Sequence, residues 1–111
     1  MKKIRVAHII NEYTLVLNVG KRDGIESGQR FLVYALSDDE ILDPETNESL
    51  GRLEIVRGTG VVDYLQDSMC IISSDVPAAS PIAYAGQVLT GDINYKPFSS
   101  PKIGDYAREI N

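Results

Sequence analysis

Short segments of apolar and β-branched residues run along this chain, and Gly, Pro, Asn or Asp separates most of them. Such segments are typical of β-strands, in which successive side chains point to opposite faces. They predict strands at residues 3–10, 14–19, 30–36, 50–57, 60–66, 69–73, 87–93 and 103–110. Apolar residues at the spacing of a helix face are not sustained over any long stretch. The pattern therefore predicts an all-β protein.

Two of these segments indicate which side chains face the core. In segment 14–19, Leu15, Leu17 and Val19 share one face of the predicted strand. Segment 30–36 is apolar on both faces, which favours a central strand or the wall of a barrel.

The length of the chain limits the architecture. A chain of 111 residues with 43% hydrophobic residues can form one modest core, so residues 1–111 are expected to be a single domain. A barrel removes exposed sheet edges. We therefore expect a small barrel, partly open or closed, of six to eight short, mainly antiparallel strands.

Residues 38–48 contain six carboxylates, and their pattern is that of a hairpin tip. Pro44 presets the backbone of a turn, Asn47 tolerates a left-handed conformation, and Asp43 can accept bonds from nearby N–H groups. The other carboxylates are expected to stay solvated, where a pair cannot acquire the unequal pKa values that acid–base catalysis needs.

The same stretch can be compared with a calcium-binding loop. Asp43, Glu45 and Asn47 occupy positions one, three and five of that template, and Glu54 occupies position twelve. Position six normally requires Gly but is Glu48, and strand patterns rather than helical ones flank the loop. The hairpin is the better interpretation, and no metal or other cofactor is expected.

Charge is distributed unevenly along the chain, whose formal net charge is −5. Residues 1–35 carry six Lys/Arg and three Asp/Glu, residues 36–75 carry two and ten, and residues 76–111 carry three of each. This asymmetry suits contact with a protein partner or self-association. The acidic total argues against nucleic-acid binding, although a groove of basic side chains near the N-terminus keeps it as the alternative function.

Candidate nucleophiles are few. Cys70 is the only cysteine and lies in an apolar segment, where a buried core residue is expected. His8, the only histidine, is interpreted as a half-buried strand residue. We expect no enzymatic activity. The N-terminus shows neither a signal-peptide pattern nor a membrane span, so a cytoplasmic protein without membrane insertion is expected.

The glycine-rich run GKRDGIESGQ, residues 20–29, lacks the phosphate-loop and dinucleotide patterns and predicts a wide turn with Ile25 tucked under it. Residues 14–73, which include this run, and the end of the chain resemble the small β-barrel domain that closes flagellar assembly protein T. They also resemble similar bacterial envelope-associated barrels. The matching residues are Gly24, Ile25, Gly28, Phe31, Val33, Tyr34, Asp43, Pro44, Thr46, Glu48 and Gly51. Asn47 stands where that family usually has Gly, and Gln29 where it has Asp.

The resemblance implies a barrel with an assembly or interaction role. The expected function is therefore a non-catalytic protein-interaction or assembly module of bacterial type. The candidate contact residues are charged and aromatic side chains of predicted turns and loops, together with Arg30 at the start of a predicted strand. They are Lys21, Arg22, Arg30, Asp43, Glu45, Glu48, Tyr95 and Phe98.

Overall fold

The computed structural model describes residues 2–78 and 94–111, and it shows an all-β protein. Its strands are β1 (Val6–Asn11), β2 (Thr14–Leu17), β3 (Arg30–Leu42), β4 (Ser49–Leu65), β5 (Cys70–Ser74) and β6 (Tyr106–Ile110). A single 3₁₀ turn, Lys21–Asp23, lies between β2 and β3. The predicted strand at 87–93 falls outside the described residues.

The six strands form one antiparallel sheet in the order β1-β2-β5-β4-β3-β6. The sheet does not close into a barrel by strand pairing, because its edge strands β1 and β6 meet only where they begin. There Arg5 and Tyr106 form an isolated bridge, and Val6 N–H donates to the Asp105 carbonyl over 2.8 Å. We expected a barrel, partly open or closed: the all-β antiparallel sheet is confirmed, and closure into a barrel is not.

The core lies on the face of the sheet that β2, β3 and β5 share. Leu15, Leu17 and Val19 are buried, as their alternation predicts. Ile25 is buried beneath the glycine-rich turn and joins the same cluster. Cys70 is fully buried in β5, and desolvation raises the pKa of its thiol to about 11. His8 lies exposed in β1 and not half-buried.

Strands β3 and β4 are much longer than predicted. The two segments expected at 50–57 and 60–66 are one continuous strand of 17 residues. Gly58 and Gly60 interrupt its apolar pattern because Phe98 packs against them: a Cβ built on Gly58 would lie 3.0 Å from the Phe98 ring, and one on Gly60 would lie 3.1 Å from it. The glycines therefore make room for an aromatic core side chain and do not end the strand.

Candidate interaction surface

Strands β3 and β4 extend beyond the rest of the sheet as a two-stranded ribbon. β6 pairs with β3 only as far as Tyr34, and β5 pairs with β4 only from Gly60. In the described part of the chain, residues 35–42 and 49–56 therefore pair only with each other. We call residues 35–56 the arm. Eight residues per strand give it a length of roughly 26 Å, and the molecule's longest dimension is 54 Å.

A tight turn closes the arm at its tip. Asp43 accepts backbone hydrogen bonds from Glu45 at 2.8 Å and from Thr46 at 3.4 Å through its Oδ1 atom. Asn47 has a φ of 65°, in the left-handed region, and its N–H donates to the Asp43 carbonyl over 2.8 Å. The predicted hairpin is confirmed, with Asp43 and Asn47 in the positions expected of them.

The arm carries apolar side chains that no described part of the chain covers. Ile55 lies opposite Ala35, two residues along β3 from the fully buried Val33, so the core-facing side of the sheet continues onto the arm. Six apolar side chains of the arm are between 42% and 62% exposed. They are Ile41, Leu42, Leu50, Leu53, Ile55 and Val56. Leu53 and Ile55 share one face of β4, and neighbouring exposed apolar side chains of this kind are typical of an interaction site.

The arm is also strongly charged. It contains seven carboxylates and one arginine, a net charge of −6, and the rest of the chain contains ten basic and nine acidic residues, a net charge of +1. Six of these carboxylates have no cation within salt-bridge distance among the described residues; the seventh, Glu54, pairs with Arg108 at 2.6 Å. The acidic character of the protein is thus concentrated in the arm.

The two strands of the arm differ in charge. The β3 strand has Asp38, Asp39 and Glu40 in succession, and all three are exposed. The β4 strand has one basic and one acidic residue, Arg52 and Glu54, separated by Leu53. Like charges in succession discourage a second strand from pairing with an edge. The β3 edge is therefore protected, whereas the β4 edge is balanced in charge.

A cleft at the base of the arm is lined by basic side chains. It has a volume of about 320 Å³, and Arg5, Arg52, Arg57 and Lys102 line it. Arg57 is half-buried and pairs with the buried Asp105 at 3.1 Å. The other three have no carboxylate within salt-bridge distance in the described ranges.

Beside this cleft, cations and aromatic rings form a layer. Tyr34 and Tyr106 stack with their ring centroids 5.7 Å apart. Arg5 lies over the Tyr106 ring at 4.5 Å, and Arg108 over the Tyr34 ring at 5.0 Å. Lys3 also approaches Tyr106, at 5.8 Å. This layer brings together basic residues from the N-terminus and from β6.

The predicted contact residues fall in separate places. Asp43, Glu45 and Glu48 lie together at the tip of the arm. Lys21 and Arg22 are exposed on the 3₁₀ turn, outside the arm. The structure thus groups the three acidic residues at the tip and places Lys21 and Arg22 apart from them.

Arg30 and the two aromatic candidates have other roles. Arg30 pairs with Asp75 at 2.5 Å, and this hydrogen bond is the main reason that the pKa of Asp75 lies below its usual value. Tyr95 is 41% exposed and bridges to Pro77. Phe98 is buried in the core at 3% exposure, so its ring is not part of the accessible surface.

Sequence reasoning did not identify the apolar residues of the arm as a surface. Leu53 and Ile55 alternate with polar neighbours as they would in any half-buried strand, so their pattern predicts the strand but not its exposure. The available signal was indirect: six carboxylates next to this segment indicate a long solvated hairpin.

Further observations on the structure, and comparisons with known proteins, bear on function. Within residues 2–78 and 94–111, no group of three or more His, Cys, Asp and Glu side chains is placed to hold a metal ion. Over the part of the chain that the structure describes, no helix is long and apolar enough to cross a membrane. No family model matches the chain, and no curated protein matches it.

Proposed function

We propose that this chain is a non-catalytic protein-interaction module and that the arm is its binding surface. The observation that supports this most directly is that residues 35–56 combine exposed apolar side chains with strand edges that no other described strand pairs with. An isolated two-stranded ribbon is marginally stable in water, and a third strand with apolar packing would stabilise it. A partner that adds a strand to the arm satisfies both its backbone groups and its apolar side chains.

The arm is held ready for binding because its strands are continuous with strands of the core. Phe31 and Val33, both buried, belong to the same strand as the exposed residues 38–42. Ordering a binding segment normally lowers affinity, and a segment anchored in this way has less entropy to lose. This continuity supports a binding role rather than a flexible linker.

The resemblance of residues 14–73 to the barrel of flagellar assembly protein T supports the same proposal. It suggests an assembly role of bacterial type and a body that is a partly open barrel, joined at Arg5 and Tyr106. The arm would then project from that barrel toward the assembly partner.

Photo-crosslinking inside the native cell tests the proposal. A benzoylphenylalanine at Leu53, on the arm, is expected to give a discrete crosslinked protein. The matched control replaces Met69, an exposed apolar residue at the turn between β4 and β5. No adduct at Leu53, or the same adducts from both positions, would contradict the proposal.

A second candidate function, binding of single-stranded nucleic acid, is favoured by the layer of Tyr34, Tyr106, Lys3, Arg5 and Arg108. Aromatic rings flanked by cations bind unpaired bases in other small barrels. Fluorescence anisotropy with a labelled oligonucleotide at low salt tests it. Binding that weakens steeply with salt and is lost in an Arg5→Ala, Arg108→Ala double variant is expected from this function; unchanged anisotropy would remove it.

A further inference from the structure

We propose that the arm pairs with the arm of a second copy of this chain, through antiparallel pairing of the two β4 edges centred on Leu53. This inference rests on the proposed function, because it names the partner that the arm binds. It identifies both the pairing edge and the register.

The backbone of β4 presents hydrogen-bonding groups at its free edge. Leu53 donates its N–H across the ribbon to Ser37 Oγ over 3.0 Å, so its backbone groups face β3. Successive residues of a strand direct these groups to opposite sides. The N–H and C=O groups of Arg52 and Glu54 therefore point away from β3. On that side, β5 pairs with β4 only from Gly60, and no backbone group of a described turn or loop bonds to them.

Charge selects one register for this edge. With Leu53 on the two-fold axis, Arg52 of each copy lies opposite Glu54 of the other, and each such pair exchanges two backbone hydrogen bonds. Sliding either strand by two residues would place Arg52 against Arg52 or Glu54 against Glu54. A slip of one residue would bring groups that already face β3 to the interface. The opposite-charge register is thus the favoured one.

Side chains around the axis support the same arrangement. The two Leu53 side chains, each 59% exposed in the single chain, would lie directly opposite in a non-hydrogen-bonded pair, where strands approach most closely. Glu54, already paired with its own Arg108 at 2.6 Å, would lie between that residue and Arg52 of the second copy.

The alternative edge is unsuited to self-pairing. Two β3 edges would bring Asp38, Asp39 and Glu40 of both copies together, six carboxylates along one seam. Antiparallel β4 pairing instead sends the two acidic tips in opposite directions. The distribution of charge therefore directs self-association to β4.

Engineered cysteines test the register. In a Leu53→Cys variant the two Cα atoms would be roughly 4.5–5.5 Å apart, within the range that a disulfide spans. In the matched Ile55→Cys variant they would be roughly 14 Å apart, too far to be joined. The native Cys70 is fully buried and does not interfere.

The expected result is a covalent dimer of the Leu53→Cys variant under mild oxidation with glutathione disulfide at low protein concentration. The Ile55→Cys variant should remain monomeric under the same conditions. Equal crosslinking of both variants, or none of Leu53→Cys, would overturn the proposed register.

Charge reversal tests the interaction itself, with mass measured by light scattering after size exclusion. Arg52→Glu and Glu54→Arg should each weaken the dimer by on the order of tenfold or more, because both symmetric charge pairs become repulsive. An equimolar mixture of the two variants should form a heterodimer, since every pair is then opposite in charge.

A wild-type chain that stays monomeric at every concentration would overturn self-association. So would two variants that do not associate when mixed. If Leu53 still crosslinked to a different protein in cells, the proposed function would stand while this inference failed. Photo-crosslinking in cells and light scattering of the purified protein therefore distinguish a failure of the proposed function from a failure of the proposed dimer.

Discussion

Replacing Phe98 by Ala should destabilise the whole sheet, although this residue belongs to no strand. The ring is 3% exposed and packs into the space that Gly58 and Gly60 leave open. Truncation of a buried Phe costs about 3–5 kcal/mol of unfolding free energy, part of it from the cavity left behind. The total stability of a domain this size is about 5–15 kcal/mol. The substitution should therefore remove a large fraction of it.

Urea denaturation followed by circular dichroism measures the effect. With a slope of about 2 kcal/mol per molar urea, a loss of about 4 kcal/mol lowers the midpoint by about 2 M. Phe98→Leu keeps most of the apolar volume and should cost less than about 1.5 kcal/mol. Tyr95→Ala, an aromatic truncation three residues away at a position 41% exposed, serves as the surface control.

A double-mutant cycle then locates the contact. Gly60→Ala alone would place its Cβ 3.1 Å from the Phe98 ring and 3.0 Å from the Ser73 carbonyl oxygen. Without the ring, only part of that crowding persists, so the two substitutions should cost less together than the sum of their separate effects. Strict additivity, or a Phe98→Ala cost no greater than that of Tyr95→Ala, would refute this account of the packing.

Three smaller changes test other parts of the molecule. Asn47→Ala should destabilise the arm's turn by about 1 kcal/mol because its φ is 65°, whereas Asn47→Gly should not; faster amide exchange confined to the arm is the measure. The hydrogen bond from Arg30 is the main reason that the pKa of Asp75 is lowered in the folded protein. The carboxylate therefore stabilises the fold fully above its ordinary pKa of about 4, and this contribution is lost as pH falls through the folded-state pKa. Urea midpoints of Asp75→Asn should accordingly fall less than those of wild type between neutral pH and about pH 3, and an equal fall would contradict this. Cys70, with a pKa raised to about 11 by burial, should react with a thiol reagent at about pH 8 only on unfolding; rapid native reaction would contradict its placement.

Local features of the fold could be predicted from the sequence where the deciding interactions are themselves local. Pro44 and Asn47 set the backbone of a turn within a few residues, and the predicted hairpin is confirmed. The alternation of Leu15, Leu17 and Val19 likewise predicts a shared face, and all three are buried. Turn chemistry and strand periodicity both act over short distances along the chain.

The arm and the Phe98 contact could not be predicted in this way because distant strands decide them. Leu53 and Ile55 have the pattern of a half-buried strand, but whether their face is covered depends on how far β5 and β6 extend. Phe98 lies in a polar loop, and its burial depends on the two glycines of β4. The predicted contact residue Arg30 pairs with Asp75, and the local sequence does not indicate this pair because the two residues are 45 positions apart.

The division of charge between the two edges of the arm connects its stability with its function. An unprotected strand edge exposes a protein to nonspecific aggregation, and charged residues are a common protection. Here three successive carboxylates protect the β3 edge of the arm, whereas no described strand covers the β4 edge of the arm. On that edge Arg52 and Glu54 flank Leu53. Two copies of this sequence bring Arg52 opposite Glu54 only in one antiparallel register. A surface built merely for solubility would not need this asymmetry. In the proposed dimer, the arm would combine exclusion of general strand partners with selection of a second copy, as the proposed assembly role requires.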